Sequence, residues 1–169
     1  MAKAVQMYDQ GTLFVGAVLP EVIRLTAVAR LLGGTATLRK MPQSPLEAHE
    51  ILLNGLPSRA LLHLIEHLDF LRWDDSFARA IGMSHRTYQR HTAENTGQLS
   101  SEQSGRAWKL AEILVKATSV FGSQAEAEQW LERPAVGLDQ RKPIDLLATP
   151  AGVELVEDFL ARLEYGVYA

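Results

Sequence analysis

The string most suggestive of chemistry is His63-Leu64-Ile65-Glu66-His67, which matches the H-x-x-E-H motif of the inverted zincins. On a helix, the two histidines lie four residues apart and share a face, as two ligands of one zinc ion must. A third protein ligand and a cleft are also needed, and the sequence indicates neither. The surrounding leucines instead favour a core helix with both histidines on its wetter side. We therefore predict no metal site and no cofactor.

No other motif in the chain indicates an enzyme. Gly33-Gly34 lacks the further glycines and the Lys-Ser/Thr tail of a phosphate-binding loop, and no G-x-S-x-G elbow presents a serine nucleophile. The carboxylate pairs Asp74-Asp75 and Glu157-Asp158 lie on predicted helices, where adjacent residues point in different directions. We interpret them as solvated or capping charges. The sequence thus predicts no catalytic residue and a protein that is not an enzyme.

The middle of the chain has the spacing of a helix-turn-helix. It predicts an apolar helix around residues 61–68 and a second helix over residues 74–80. Gly82 then allows the positive φ of a tight turn, and the small Ala78 four residues earlier lets the two helices approach closely. Ser84 is the expected N-cap of a third helix, the one that enters the major groove in such folds.

The outward positions of this third helix carry side chains that could contact DNA. Arginine can bond guanine and glutamine can bond adenine in bidentate pairs, while a helix N-terminus can hold a phosphate. The alternative is a helical hairpin whose polar face only meets water. If the helix binds DNA, we expect the contacts to come from Ser84, His85, Arg86, Gln89 and Arg90.

Residues 100–169 predict a second group of helices, so the fold class is all-α. Apolar stripes at helical spacing lie between cap and stop signals, and they place Trp130, Leu160 and Leu163 in the core. We expect each part of the chain to have a modest core of its own. The expected caps and stops are Ser100 with Gln103, Gly122, Ser123 with Glu126, Thr149 with Pro150, and Gly166.

The residues of this second part, taken in order, resemble a known family. They are Leu99-Ser100, Arg106, Ala117, Val120-Phe121-Gly122, Ala127, Trp130-Leu131, Pro134, Leu138, Pro143, Asp145-Leu146-Leu147, Thr149, Gly152, Val156, Leu160 and Tyr165-Gly166-Val167-Tyr168. This order is similar to the toxin-binding domain of the Xre/MbcA/ParS antitoxins. The likeness is close from Leu99 to Ala169 and looser over residues 46–91. It implies an Xre-type helix-turn-helix repressor joined to a domain that binds a RES-domain toxin, an enzyme that consumes NAD or transfers ADP-ribose from it.

The last five residues are the expected toxin contacts. Val167 and Tyr168 form a short apolar, aromatic tail after the predicted end of the last helix at Gly166, and tyrosine offers a large contact area at low entropic cost. The tail could instead fold back onto its own core. The resemblance implies that this end approaches the toxin's active-site cleft, through Tyr165, Gly166, Val167, Tyr168 and Ala169.

Composition and charge define the remaining expectations. The chain has 169 residues, no cysteine and a net charge of −3, which fits a reducing cytoplasm, and its apolar N-terminal stretch is interrupted by charges and does not predict a membrane span. Lys and Arg number 7 against 11 Asp and Glu in residues 100–169, and no region is strongly basic. DNA binding then depends on a few arginines and on dimerisation. We predict residues 1–45 as an extension and linker, 46–98 as the helix-turn-helix DNA-binding domain and 99–169 as the toxin-binding domain.

The sequence therefore favours a non-enzymatic antitoxin. It would occlude the active site of a RES-domain toxin through residues 99–169. It would also repress its own operon as a homodimer on operator DNA that contains an inverted repeat. The alternative is a stand-alone dimeric helix-turn-helix transcriptional regulator without a toxin partner.

Overall fold

The computed structural model describes residues 21–94 and 97–166, and in these ranges its regular structure is helical, which confirms the all-α class. None of the described helices is both long enough and apolar enough to cross a bilayer. Helix α1 covers residues 21–31. The helices that follow are α2 (Pro45–Asn54), α3 (Ser58–Glu66), α4 (Asp75–Ile81), α5 (His85–Glu94), α6 (Ser101–Phe121), α7 (Gln124–Leu131), α8 (Pro143–Leu146) and α9 (Pro150–Glu164), with 3-10 turns at Gly34–Ala36 and Val136–Leu138.

Side-chain caps begin these helices where the sequence predicts them. The Ser100 hydroxyl accepts from the Gln103 backbone N–H, and the Gln103 side chain accepts from the Ser100 N–H, each at 3.1 Å, which completes a capping box. Ser123 caps α7 and Thr149 caps α9. The second helix of the helix-turn-helix begins one residue later than predicted, because the Asp74 carboxylate caps it.

The turn between α4 and α5 has the predicted geometry. Gly82 has a φ of 69°, in the left-handed region that glycine adopts without strain. Phe77 and Ile81 are fully buried, whereas Ala78 is half-buried. Tyr88 of α5 stacks on Trp73, which precedes α4, with ring centroids 3.9 Å apart. The two helices are therefore held at a fixed angle by packing on both sides of the turn.

Helix α6 is central and joins the two predicted parts of the chain. It packs against α2 and α4 of the first part and against α7 and α9 of the second. Its buried residues belong to the same apolar cluster as Leu64 and Phe77 of the helix-turn-helix and Leu131 and Leu160 of the last helices. The expectation of separate cores is therefore wrong, because one long helix is buried by both groups of neighbours.

Polar contacts also connect the two parts. Arg106 of α6 pairs with Glu102 at 2.9 Å, and its side chain lies beside Gly82. It also donates to the carbonyls of Arg79 on α4 and of Ala148, at 3.4 and 3.1 Å. Asp145 of α8 accepts from Ser76 at 2.6 Å and from Arg79 at 3.1 Å, both on α4. These bonds join α4 to α6 and α8.

A buried carboxylate supplies a further connection. Glu128 of α7 has no solvent exposure and forms no salt bridge among the described residues. It accepts instead from the backbone N–H groups of Phe70 and Leu71, at 2.7 and 3.2 Å, and from the Gln124 amide at 2.7 Å. Three hydrogen-bond donors satisfy the carboxyl oxygens, whose burial would otherwise be unfavourable. The loop between α3 and α4 is therefore bound to α7.

Two of the three expected core residues are only half-buried. Leu160 is fully buried, as predicted, but Trp130 and Leu163 keep part of their side chains in solvent. Trp130 lies in a row of rings between Phe121 and Phe159, with centroids 5.2 and 6.1 Å away. The row covers the core from outside, and for this reason helical spacing alone overestimated its burial.

His91 on α5 is buried against the start of α3. Its Nδ1 lies 2.6 Å from the Ser58 hydroxyl, and the residue is 7% exposed. Burial lowers the pKa of the His91 imidazole, the charge of Arg90 adds to this, and Glu94 opposes it. The folded protein therefore favours the neutral ring more than the unfolded chain does.

This shift predicts that folding stability falls in mild acid. Below an ordinary histidine pKa of about 6.5 the unfolded chain takes up a proton that the folded chain resists, so stability is complete above that pH and is lost as the pH falls towards the lowered value. Urea unfolding at pH 7.5 and 5.5 should show this loss in the unmodified protein and a smaller loss in His91→Gln. The exposed His49→Gln is the matched control and should keep the full pH dependence. An equal loss in His91→Gln and the unmodified protein would contradict this assignment.

Candidate functional site

The five residues predicted to contact DNA lie together at the start of α5. Ser84, His85, Arg86, Gln89 and Arg90 are all exposed. Arg86, Gln89 and Arg90 follow the i, i+3, i+4 spacing that places side chains on one helical face. The structure thus brings the predicted set together on a single surface, which we call the α5 face.

Two members of the α5 face already have partners within the helix. The Ser84 hydroxyl accepts from the Thr87 backbone N–H at 3.2 Å, so it is the predicted N-cap. The Gln89 amide nitrogen lies 3.1 Å from His85 Nε2, which orders both side chains along the face. Arg86 and Arg90 form no salt bridge with any described residue. Their guanidinium groups are therefore the cations that this face offers to an anion.

The neighbouring surface carries charge of both signs. Asp74, Asp75 and Arg79 of the α4 region line the same groove as Ser84 and His85. Arg79 is paired with Asp145, and Asp74 is occupied as the cap of α4. The two aspartates repel a phosphate backbone. Binding of DNA to this surface therefore requires direct contacts from the side chains of α5. The sequence indicated capping or solvated charges at these aspartates but gave no sign that they lie beside the α5 face.

The histidine motif is satisfied by backbone groups. His63 Nδ1 lies 3.1 Å from the Leu31 carbonyl, and His67 Nδ1 lies 2.8 Å from the His63 carbonyl. The two rings stack with centroids 3.9 Å apart. Over residues 21–94 and 97–166, no cluster of three or more His, Cys, Asp or Glu side chains could hold a metal ion. The motif fixes α3 to the end of α1.

The predicted toxin contacts lie at the end of α9. Tyr165 is 78% exposed, and Gly166 has a φ of 65°, which turns the chain after the helix. Val167, Tyr168 and Ala169 lie outside the described residues. Tyr165 is thus the one aromatic side chain of the predicted set whose position the structure gives.

A further exposed apolar surface was missed by sequence analysis. Val136 in the loop before α8 is 81% exposed, and Leu155 on α9 is 52% exposed. Phe159 lies one helical turn after Leu155 on α9 and is half-buried, with the backbone of Gly137, the neighbour of Val136, against its ring. The spacing of Leu155 and Phe159, four residues apart, was the available signal, but Val136 lies in a loop that no periodicity describes.

Comparison with known proteins matches both parts of the chain. Residues 47–112 match the family model of the antitoxin Xre-like helix-turn-helix domain. Residues 116–166 match that of the antitoxin Xre/MbcA/ParS C-terminal toxin-binding domain. The two matches adjoin within α6, the helix that both parts bury. The predicted boundary between residues 98 and 99 remains a prediction.

Curated relatives with the name Antitoxin Xre align to the same regions. One from Yersinia enterocolitica is 33% identical over 92 residues, which are 54% of this chain and 62% of the relative. One from Photorhabdus laumondii is 28% identical over 118 residues, covering 69% of this chain and 78% of the relative. One from Pseudomonas putida is 30% identical over 73 residues, covering 43% of this chain and 46% of the relative. The match thus spans less than two thirds of the Yersinia and Pseudomonas relatives.

The family matches agree with the geometry in both halves: a glycine turn between two packed helices in the first, and a capped helical group ending in an exposed tyrosine in the second. The chain therefore belongs to the Xre/MbcA/ParS family of antitoxins, with an Xre-like helix-turn-helix region followed by the family's C-terminal toxin-binding domain.

Proposed function

We propose that the chain neutralises a RES-domain toxin by occluding its active site. The observation that carries this proposal is the exposed Tyr165 at the end of α9, inside the region that matches a toxin-binding domain. Residues 167–169 follow it with a valine, a second tyrosine and an alanine. Because this segment follows the end of α9 at Glu164, it can enter a cleft while the core side chains of α9 keep their positions.

The occluding residues need no chemistry of their own. RES-domain toxins consume NAD or transfer ADP-ribose from it, so an inhibitor only has to fill the volume that the dinucleotide requires. Tyrosine suits this role because its ring is large and rigid, and its hydroxyl can replace a polar contact of the substrate. The antitoxin itself then has no catalytic residue.

Repression of its own operon is the second part of the proposal. Arg86 and Gln89 offer base contacts, and the free N–H groups of the first α5 turn offer a phosphate contact. The chain is not basic, so one copy makes few phosphate contacts, and a homodimer on an inverted repeat doubles them. Half-sites are then expected about one helical turn, or a multiple of it, apart.

The α5 face predicts a specific loss of DNA binding. Arg86→Ala combined with Gln89→Ala should weaken operator binding about 30-fold or more, since each good base contact is worth about 1–3 kcal/mol. Both side chains are exposed, so folding and toxin neutralisation should be unchanged. A gel-shift titration with the promoter of the chain's own operon measures the affinity.

Arg141→Ala removes the same charge from an exposed position far along the chain and serves as the control. It should bind the promoter like the unmodified protein. Unchanged binding by the double variant would mean that another helix reads the operator. A single half-site bound as tightly as the inverted repeat would contradict the homodimer.

The tail predicts a loss of inhibition without a loss of stability. Deleting residues 167–169 should leave the melting temperature and promoter binding nearly unchanged, because α9 ends at Glu164 and the deletion keeps its buried Val156 and Leu160. It should weaken inhibition of NAD consumption by the purified toxin, since the cleft is then left open. Leu160→Ala provides the contrast, because truncating this fully buried side chain should destabilise the fold by about 2–5 kcal/mol. A truncated chain that inhibits as strongly as the full chain would show that the tail does not occlude the active site.

A further inference from the structure

The toxin-binding domain exposes an apolar surface that its own fold covers only in part. It consists of Val136, Leu155 and Phe159, with Arg162 at its edge, and we call it the α9 platform. Val136 and Leu155 are 81% and 52% exposed. On α9, residues 155, 159 and 162 recur at i, i+4 and i+7 and therefore share one face. Exposed apolar residues are common singly, but a contiguous group of this kind indicates a contact surface.

The loop that carries Val136 is fixed by backbone hydrogen bonds. The Ala135 N–H donates to the Arg141 carbonyl at 3.0 Å, and the Ala135 carbonyl accepts from Leu138 and Gln140 at 3.0 Å. Asp139 and Gln140 both have positive φ, a conformation that non-glycine residues adopt infrequently. A closed loop with two such residues thus presents a valine to solvent. The valine's exposure is therefore a property of a defined conformation.

Phe159 is held rigidly at the centre of the α9 platform. Its ring stacks parallel to that of Trp130, with an interplanar angle of 6°, and the backbone of Gly137 lies directly against its edge. The Arg162 guanidinium lies 5.8 Å from the ring centroid and forms no salt bridge with any described residue. A rigid aromatic ring beside an unpaired arginine is the composition of a binding hot spot.

The geometry points to the body of the toxin as the occupant of the α9 platform, an inference that rests on the proposed function. The platform lies within residues 116–166, which match a toxin-binding domain. Leu155 and Tyr165 are ten residues apart, or about 15 Å along α9. If a toxin binds residues 167–169 in a cleft, the rim of that cleft lies close enough to contact α9. We propose that this rim is apolar and carries an acidic side chain that meets Arg162.

A second copy of the chain fits this surface less well. A two-fold interface centred on the α9 platform brings the same patch of both copies together and so places Arg162 close to its counterpart. Two unpaired guanidinium groups oppose such a contact. An acidic toxin rim has the complementary charge.

The test compares matched lysine variants for binding to the purified RES-domain toxin. Val136→Lys and Leu155→Lys place a charge on exposed positions of the α9 platform, and Leu53→Lys places one on a leucine of α2 that is 62% exposed. Calorimetry should show that each platform variant weakens toxin binding about tenfold or more, while Leu53→Lys binds like the unmodified chain. The chain lacking residues 167–169 should keep most of its affinity although it inhibits poorly. Circular dichroism confirms that each variant is folded, and Leu155→Ser replaces any variant that is not.

The outcomes separate this inference from the function on which it rests. Unmodified chain that captures no toxin overturns the proposed function and the platform together. Capture by the unmodified chain with equal affinity in the platform variants overturns the platform alone. Variants that change the oligomeric mass but leave toxin affinity unchanged assign the surface to a second copy, which also overturns the inference.

Discussion

Burial of α6 from both sides is the constraint on which the rest of the structure depends. The helix has 21 residues, and eight of them are buried, including Trp108, Ile113 and Leu114. Both groups of neighbours contribute to this burial, since α6 contacts α2 and α4 of the first part and α7 and α9 of the second. Its polar residues follow the same division. The buried Ser104 hydroxyl accepts from Leu56 N–H at 2.8 Å, while Lys109 pairs with Glu157 of α9 at 3.0 Å. Burial disfavours the charge of Lys109, but Glu112 and Glu157 outweigh it and raise the pKa of the amine.

The contacts outside α6 reinforce this arrangement. Asp145 bonds Ser76, Glu128 bonds Phe70, and Arg106 bonds the Arg79 carbonyl, so each joins the second part of the chain to the first. Glu128 connects α7 to the loop before α4, and Asp145 connects α8 to α4 itself. The α5 face and the α9 platform therefore belong to one packed body, although they lie on different elements. A partner that binds only the folded form at either surface stabilises the whole core by mass action.

Local signals in the sequence predicted much of the fold. Ser100, Ser123 and Thr149 are caps because their short polar side chains reach the N–H groups of the next turn, and this depends only on neighbours in sequence. Gly82 likewise reveals its turn through its own conformational freedom. The α5 face was predictable for the same reason, because the N-cap Ser84 sets the start of the helix and helical spacing then determines which side chains share a face.

Long-range packing was not predictable in the same way. Glu128 has the pattern of a surface glutamate, and its donors are 57 and 58 residues away. The single core was missed because α6 has buried residues on more than one face. A search for one apolar stripe assigns such a helix to a single packing partner. The exposure of Val136 depends on a loop in which Asp139 and Gln140 have positive φ, and the sequence has no glycine at these positions to indicate that conformation.

The central claim is that α6 unites the helix-turn-helix and the toxin-binding domain in one cooperative unit. The three tryptophans allow a direct test, because Trp73 lies beside α4, Trp108 on α6 and Trp130 on α7. Their indole N–H signals can be followed by NMR through a urea titration of the full chain. Loss of the native Trp73, Trp108 and Trp130 signals at one common urea concentration is the predicted result. Persistence of the native Trp130 signal after that of Trp73 has disappeared, or the reverse, would contradict a shared core.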